Sequence, residues 1–261
     1  MIRNGSDASR AQLWHALGLD EAHGTPVVAV VGGGGKTSLL YALARELAAR
    51  GGQAIVTGTT RFTPAPHGWP MPPLITVPAG AAAATVTTAS ARGPLVVAGV
   101  EPQPAGRLAP LSPDDIAALA ALEGVDAVLV EADGSRARPF KAPGDHEPVI
   151  PVTATHVVAV VGASVVGQPL DEASVHRPER VRALVPGLAR EAVCDATTIA
   201  LVLMHDGGGR KGVNGRPFTV VVNQADAYPE AAQAIAEGLR SIGLRRVVVA
   251  ALRDPERPVR G

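Results

Sequence analysis

The chain has 261 residues, 46% of them apolar but only 3% aromatic, with 24 basic residues balancing 24 acidic ones. That length builds one large or two small domains with a real core, here from Val, Ala, Leu and Ile, as suits buried parallel strands under Ala/Leu helices. Balanced charge argues against a basic nucleic-acid groove, a lone cysteine excludes an internal disulfide or a multi-thiolate metal site, and no apolar run reaches the ~20 residues of a membrane helix.

The first residues carry Arg3, Asp7 and Arg10 and lack the apolar run of a signal peptide, so a soluble cytoplasmic protein is expected. Residues 8–19 read as a short helix with Leu13, Trp14 and Leu17 on one face. Residues 1–24 are taken as a helical extension, and 25–261 as a single domain.

That domain opens with Val27-Val28-Ala29-Val30-Val31, a buried strand, followed by Gly32, Gly33, Gly34 and Gly35, then Lys36, Thr37, Ser38 and an apolar pattern with helical spacing. Glycines allow positive φ and close approach to a ligand. The unpaired N–H groups of a helix start, with a lysine, make a phosphate cradle. The usual pattern is G-x-x-x-x-G-K-[ST]. Here Val30 stands at its first glycine, and the loop reads G-x-x-G-K-T, two residues shorter. A turn that binds nothing has no need of a lysine and a threonine at these positions. Only three lysines occur in the chain (Lys36, Lys141, Lys211), each against a strong bias towards arginine.

The helix runs to about Arg50, where Gly51-Gly52 ends it. Ala54 to Thr57 is a second strand, which implies a right-handed βαβ unit with ligands beyond the strands' carboxyl ends. That edge receives Thr59, Thr60 and Arg61, which are placed to touch phosphate or magnesium, a turn with solvated hydroxyls being the alternative. A loop with five prolines follows over 62–73, then strand Leu74–Val77, a helix over 79–91, strand Leu95–Ala98, and a helix begun by Ser112-Pro113-Asp114-Asp115 and ended near Gly124.

Val125 to Val130 leads into Glu131-Ala132-Asp133-Gly134, an apolar strand ending in carboxylates that places an acid opposite the phosphate loop to hold Mg²⁺. Either Glu131 or Asp133 can serve, alongside Thr37. The run from Ser135 to Pro151 holds four prolines with Lys141, His146 and Glu147. Strand Thr155–Val161 follows, then Val175-His176-Arg177-Pro178 before a helix over 178–185, and a further helix over 195–205. Cys194, in this apolar stretch read as helical, is expected in the core rather than as a nucleophile. Strand Phe218–Val222 ends in Asn223-Gln224-Ala225-Asp226. Guanine-nucleotide proteins carry N-K-x-D at such a strand end, where the Asp reads the base and the Asn braces the loop; here Gln224 replaces the lysine. Helix 229–243 and strand 246–250 complete a mostly parallel central sheet with helices on both faces, a P-loop NTPase-like three-layer α/β sandwich. Segments 132–152, 162–178 and 206–217 are long active-edge loops read as lids.

Taken in order, G-G-G-G-K-T-S, V-T-G-T-T-R, V-E-A-D-G-S-R-A-R-P-F-K-A-P-G-D-H-E-P-V-I-P, V-H-R-P-E, H-D-G-G-G-R-K-G-V and V-V-N-Q-A-D resemble the YqeC-like family of selenium-dependent hydroxylase accessory proteins, over nearly the whole chain from Val27. The resemblance implies a nucleotide-binding protein tied to maturing molybdenum hydroxylases or their cofactor. On this reading Gly32 to Lys36 cradle the phosphates of ATP or GTP, Thr37 ligates Mg²⁺ with Asp133 or Glu131, and Asn223 and Asp226 read the base. Lys141, His146, Glu147, His176 and Arg177 line a lid or substrate site. Two alternatives stay open. One is a small-molecule kinase with His146 or Glu147 as base, and the other a non-catalytic carrier of a phosphate-bearing pterin. No nucleic-acid or membrane partner is expected.

Overall fold

The computed structural model describes residues 13–66, 68–89, 93–104, 106–253 and 258–260. Helix α1 (Leu13–Leu17) precedes β1 (Val27–Gly32), α2 (Lys36–Ala49) and β2 (Ala54–Gly58). Then come β3 (Leu74–Val77), α3 (Ala82–Ala89), β4 (Leu95–Gly99), α4 (Pro113–Ala120) and β5 (Ala127–Glu131). A two-residue strand β6 (Phe140–Lys141) leads to β7 (His156–Gly162), another short strand β8 (Val175–His176), and helices α5 (Pro178–Leu184) and α6 (Ala196–Met204). The chain closes with β9 (Phe218–Asn223), α7 (Pro229–Ser241), β10 (Val247–Ala250) and β11 (Val259–Arg260).

Nine strands form one sheet in the order β11-β10-β9-β7-β1-β5-β2-β4-β3. All neighbours are parallel except β11, which runs antiparallel to β10. Strand β1, which leads into the glycine loop, is therefore central, between β5 and β7. Its continuous apolar run reflects burial on both faces. Val27, Ala29 and Val31 join one core, while Val28 and Val30 join the other, as the two-residue period of a strand requires.

The first core is covered by α4, α6 and α7 through Ile116, Leu119, Ile199, Val202, Ile235 and Leu239. The second is covered by α2 and α1 through Leu39, Leu40, Leu43, Leu13 and Trp14. The result is a three-layer α/β sandwich of the P-loop NTPase kind. Each fully buried leucine of α2 contributes about 1.5–3 kcal/mol. Helix α1 is fixed to α2 by polar contacts too: the Trp14 indole donates to the Leu43 carbonyl (3.0 Å), and the Leu13 N–H donates to Glu46 (2.8 Å).

Local chemistry sets the ends of the elements. Ser112 caps α4 by accepting from the Asp115 N–H (3.1 Å), with Pro113 in the first turn, and Asp195 caps α6 by accepting from the Thr198 N–H (2.7 Å). Gly51, at φ +83°, turns the chain out of α2, and the Gly52 N–H reaches back to the Leu47 carbonyl (3.0 Å).

The expected helix over 8–19 is described only from Leu13 and stops at Leu17, because Gly18 adopts a left-handed conformation; residues 8–12 lie outside the described residues. The helix expected over 79–91 begins at Ala82, and 90–92 also lie outside them. Cys194 is not helical. It sits in extended chain just before the Asp195 cap, is fully buried, and burial pushes its thiol up to about 11. Among the described residues no helix is long and apolar enough to cross a membrane.

Candidate functional site

Pairing places Val30 of β1 level with Glu131 of β5, and Glu131 level with Gly58 of β2, so the loops after these strands leave the sheet at one edge. That edge carries a cleft of about 1180 Å³, bordered by the end of the glycine loop, the start of α2 and the loops after β2, β4, β5, β7, β9 and β10.

The glycine loop divides into two parts. The first three N–H groups are used inside the protein. Gly32 donates to both carboxylate oxygens of Asp133 (3.1 Å each), Gly33 to the Val160 carbonyl (2.9 Å), and Gly34 to the Arg138 carbonyl (3.1 Å). The N–H groups of Gly35, Lys36, Thr37 and Ser38 precede the first helical bond, from Leu39 to the Gly35 carbonyl, and these residues border the cleft. Glycine is required at Gly35 because its φ is +140° and a Cβ there would lie 2.2 Å from Asn223 Nδ2.

Lys36 is almost fully buried. Its Nζ donates to the Gly32 carbonyl (2.8 Å) and lies 3.4 Å from Asp133 and 4.0 Å from Glu131. The two acids left open by the sequence thus take different places. Glu131 accepts from the Thr37 hydroxyl (3.0 Å) at the cleft. Asp133 is enclosed between Lys36 and Lys141, the latter 2.9 Å away. Burial pushes the Glu131 carboxyl above its ordinary range, against the pull of Lys36 and the Thr37 hydrogen bond.

Lys141 passes the charge pairing outward. It contacts Glu147 (2.6 Å) and the Gly134 carbonyl (2.6 Å), and Arg177 grips Glu147 with two bonds of 2.8 and 3.1 Å. Burial raises the Glu147 pKa, but Arg177 and Lys141 outweigh it and hold the carboxyl at about 2. His176 is buried beside these cations, and burial with their charge brings it down to about 4. Strands β6 and β8 pair Lys141 with His176, which is how two distant sequence runs meet. Lys211 ties the same loop by donating to the Gly144 (2.6 Å) and Asp145 (2.9 Å) carbonyls. His146 is exposed and does not border the cleft.

On the other flank Asn223 is buried. It donates to the Gly34 carbonyl (2.8 Å) and accepts from the Leu252 N–H (3.0 Å), so it braces the loop while bordering the cleft. Gln224 accepts from the Ser164 N–H (3.1 Å), while Asp226 is exposed and borders the cleft. Thr59 donates to the Val149 carbonyl (2.6 Å), and the Thr60 hydroxyl is buried without a partner; neither borders the cleft.

Several cleft residues carry no sequence signal. Thr63 lies 3.4 Å from Thr37, hydroxyl to hydroxyl. Arg107 and Arg253 are exposed around the rim, as is Arg136 of the quoted E-A-D-G-S-R run, and Trp69 and Tyr228 also border the cleft. A hydroxyl after proline-rich chain, or an arginine in an arginine-rich protein, is recognisable only once the sheet order brings its loop to the edge.

The family described as "YqeC protein" matches residues 28–179. The chain belongs to the YqeC family. It is also similar to "Uncharacterized protein YqeC" of Escherichia coli (strain K12), with 35% identity over 189 residues, covering 72% of this chain and 71% of that protein. No solved structure matches the chain. The family match takes in the glycine loop, both acids of the Glu131–Asp133 pair and the Lys141–Glu147–Arg177 ion network, whereas Asn223 and Asp226 lie beyond its end.

Proposed function

We propose that the chain binds a nucleoside triphosphate, ATP or GTP, and hydrolyses it with Mg²⁺ as an accessory factor in the maturation of selenium- or molybdenum-containing hydroxylases. One observation carries the catalytic reading: the Thr37 hydroxyl meets the Glu131 carboxylate at 3.0 Å, beside the unpaired N–H groups of Gly35 to Ser38, at the wall of a large cleft. An aliphatic hydroxyl and a carboxylate are hard oxygen donors. Mg²⁺ is held by one or two such groups together with phosphate oxygens and water. The described residues contain no cluster of three or more His, Cys, Asp or Glu able to hold a metal, so this shared mode suits the chain. Bound there, the ion would neutralise charge on the phosphate oxygens.

The protein's own groups divide the remaining work. The N–H groups at the start of α2 receive phosphate oxygens. Lys36, already 2.8 Å from the Gly32 carbonyl, supplies a positive charge whose position Asp133 fixes. Arg136 stands at the rim where phosphate charge would develop. Asp226 offers its carboxylate to ring N–H groups of a base, and Asn223 keeps the loop in place for it. Lys141, Glu147 and Arg177 hold the lid segment against the loop.

The experiment is phosphate release from ATP and from GTP, with and without Mg²⁺. The wild type is expected to release phosphate only with Mg²⁺, and Lys36→Ala to lose at least a hundredfold in rate. No release from either nucleotide overturns the reading. The client class rests on the family resemblance of the E-A-D-G to H-E-P-V-I-P run. Its check is molybdenum hydroxylase activity in cells lacking this chain, with loss expected, and restoration by wild type but not by Lys36→Ala.

A further inference from the structure

The cleft is somewhat larger than a typical single-ligand pocket. Pockets for a single drug-sized ligand measure about 300–1,000 Å³, and this one reaches about 1180 Å³. Its residues also fall into two groups on opposite sides of β1. Gln224, Asp226, Tyr228 and Arg253 come from the loops after β9 and β10. Thr63, Trp69 and Arg107 come from the loops after β2 and β4, on the far side of β5. With a base at Asp226 and phosphates at α2, the second group has no part in the proposed nucleotide site.

That second group is built. Phe62 and Leu108 form an antiparallel bridge, each N–H donating to the other's carbonyl (3.3 and 2.8 Å). The bridge sets the next residues, Thr63 and Arg107, opposite each other. Thr63 in turn touches Thr37, so this half of the cleft runs directly into the Thr37–Glu131 pair. Arg107 is exposed, makes no ion pair among the described residues, and is near enough to draw the Glu131 carboxyl down in pKa. Trp69 borders the same half with its ring braced by the Arg45 guanidinium 5.1 Å from the centroid. A half-buried indole, an unpaired arginine and a hydroxyl facing the metal-ligand pair select a planar aromatic ligand that carries an anionic group.

We infer that the cleft holds two ligands at once, a nucleotide on the Asp226 side and a planar aromatic anion between Trp69 and Arg107. The inference deepens the nucleotide reading and rests on it for the identity of the first ligand. The second ligand lies where a phosphoryl acceptor or a nucleotide-sensing cargo would meet the Thr37 end of the loop.

Riboflavin 5′-phosphate serves as the probe, because its own fluorescence is quenched on stacking against an indole. In the presence of a saturating non-hydrolysable ATP or GTP analogue, saturable quenching is expected. Trp69→Ala is expected to weaken it at least tenfold and Arg107→Ala at least fivefold, and uncharged riboflavin to bind at least fivefold more weakly. Nucleotide affinity in Trp69→Ala stays within twofold of wild type, and Lys36→Ala leaves flavin-phosphate affinity within twofold. Competition between flavin phosphate and nucleotide, quenching that does not depend on Trp69, or no saturable quenching overturns the inference. If neither nucleotide binds but quenching still depends on Trp69 and Arg107, the hydrolysis reading falls and the second site stands.

Discussion

The two sides of Lys36 are built from similar residues and behave oppositely. Towards Asp133, each charge meets another: Asp133 with Lys36 and Lys141, Glu147 with Lys141 and Arg177. Towards Thr37, backbone N–H groups and three arginines border open cleft without ion partners among the described residues. Charges removed from water are costly unless paired, and the closed side meets that cost within the protein. Polar groups left facing solvent lose little until a ligand arrives, so the open side is where binding energy is available. Glu131 and Asp133, two residues apart, mark the boundary.

The largest effect expected is from Asp133→Ala. It leaves two buried ammonium groups facing each other and removes the acceptor of the Gly32 N–H, a loss of about 3–5 kcal/mol in urea unfolding. A loss below about 1 kcal/mol would erase the distinction between the two sides. Glu131→Gln should do the reverse. Burial already favours a neutral group there, so stability changes by less than about 1 kcal/mol, while phosphate release falls about 10²–10³-fold. Equal stability losses at the two acids would break the comparison.

The closed side also has a pH signature. Glu147 is held at about 2 against an ordinary 4.5, so the unfolded chain binds more protons between these values. Its contribution is complete above pH 4.5 and lost as pH falls towards 2. His176, at about 4 against 6.5, gives full stability above pH 6.5 and loses it as pH falls to 4. Urea midpoints across pH 3 to 8 should therefore fall in two windows. His176→Gln flattens the upper one and Glu147→Gln the lower; unchanged slopes in both variants would show that neither group is held as described.

The smallest structural effect belongs to the open side. Asp226→Ala, at an exposed position, should alter stability by no more than about 0.5 kcal/mol. Competition binding should show any GTP preference lowered about tenfold. Unchanged discrimination between ATP and GTP would mean that Asn223-Gln224-Ala225-Asp226 only braces the loop.

The six central strands were legible because parallel strands buried on both faces must be apolar throughout, as Val27–Val31 and Val157–Val161 are. The caps at Ser112 and Asp195 and the stop at Gly51 were likewise local. Strands β6, β8 and β11 were not, since two residues hold no period and pair only through distant chain. Within the site, Gly35, Lys36, Thr37 and the acid pair could be read from spacing. The choice between Glu131 and Asp133 could not, because Asp133 lies past the end of β5, where a loop sets its direction. Thr63 and Arg107 depend on a bridge between two loops, and the sequence gives no sign that those loops touch.

Only three lysines occur in the chain, and the fold engages every one. Lys36 and Lys141 are almost wholly buried, and Lys211 is partly covered with its ammonium on two carbonyls. The side-chain amines are therefore poor targets for acylating reagents while the ligand edge is intact. Amine labelling of lysine, which on most proteins reports the outer surface, becomes here a gauge of the interior: each acyl group gained at Lys36, Lys141 or Lys211 records an opening of the edge, resolved to one of three positions by peptide mass.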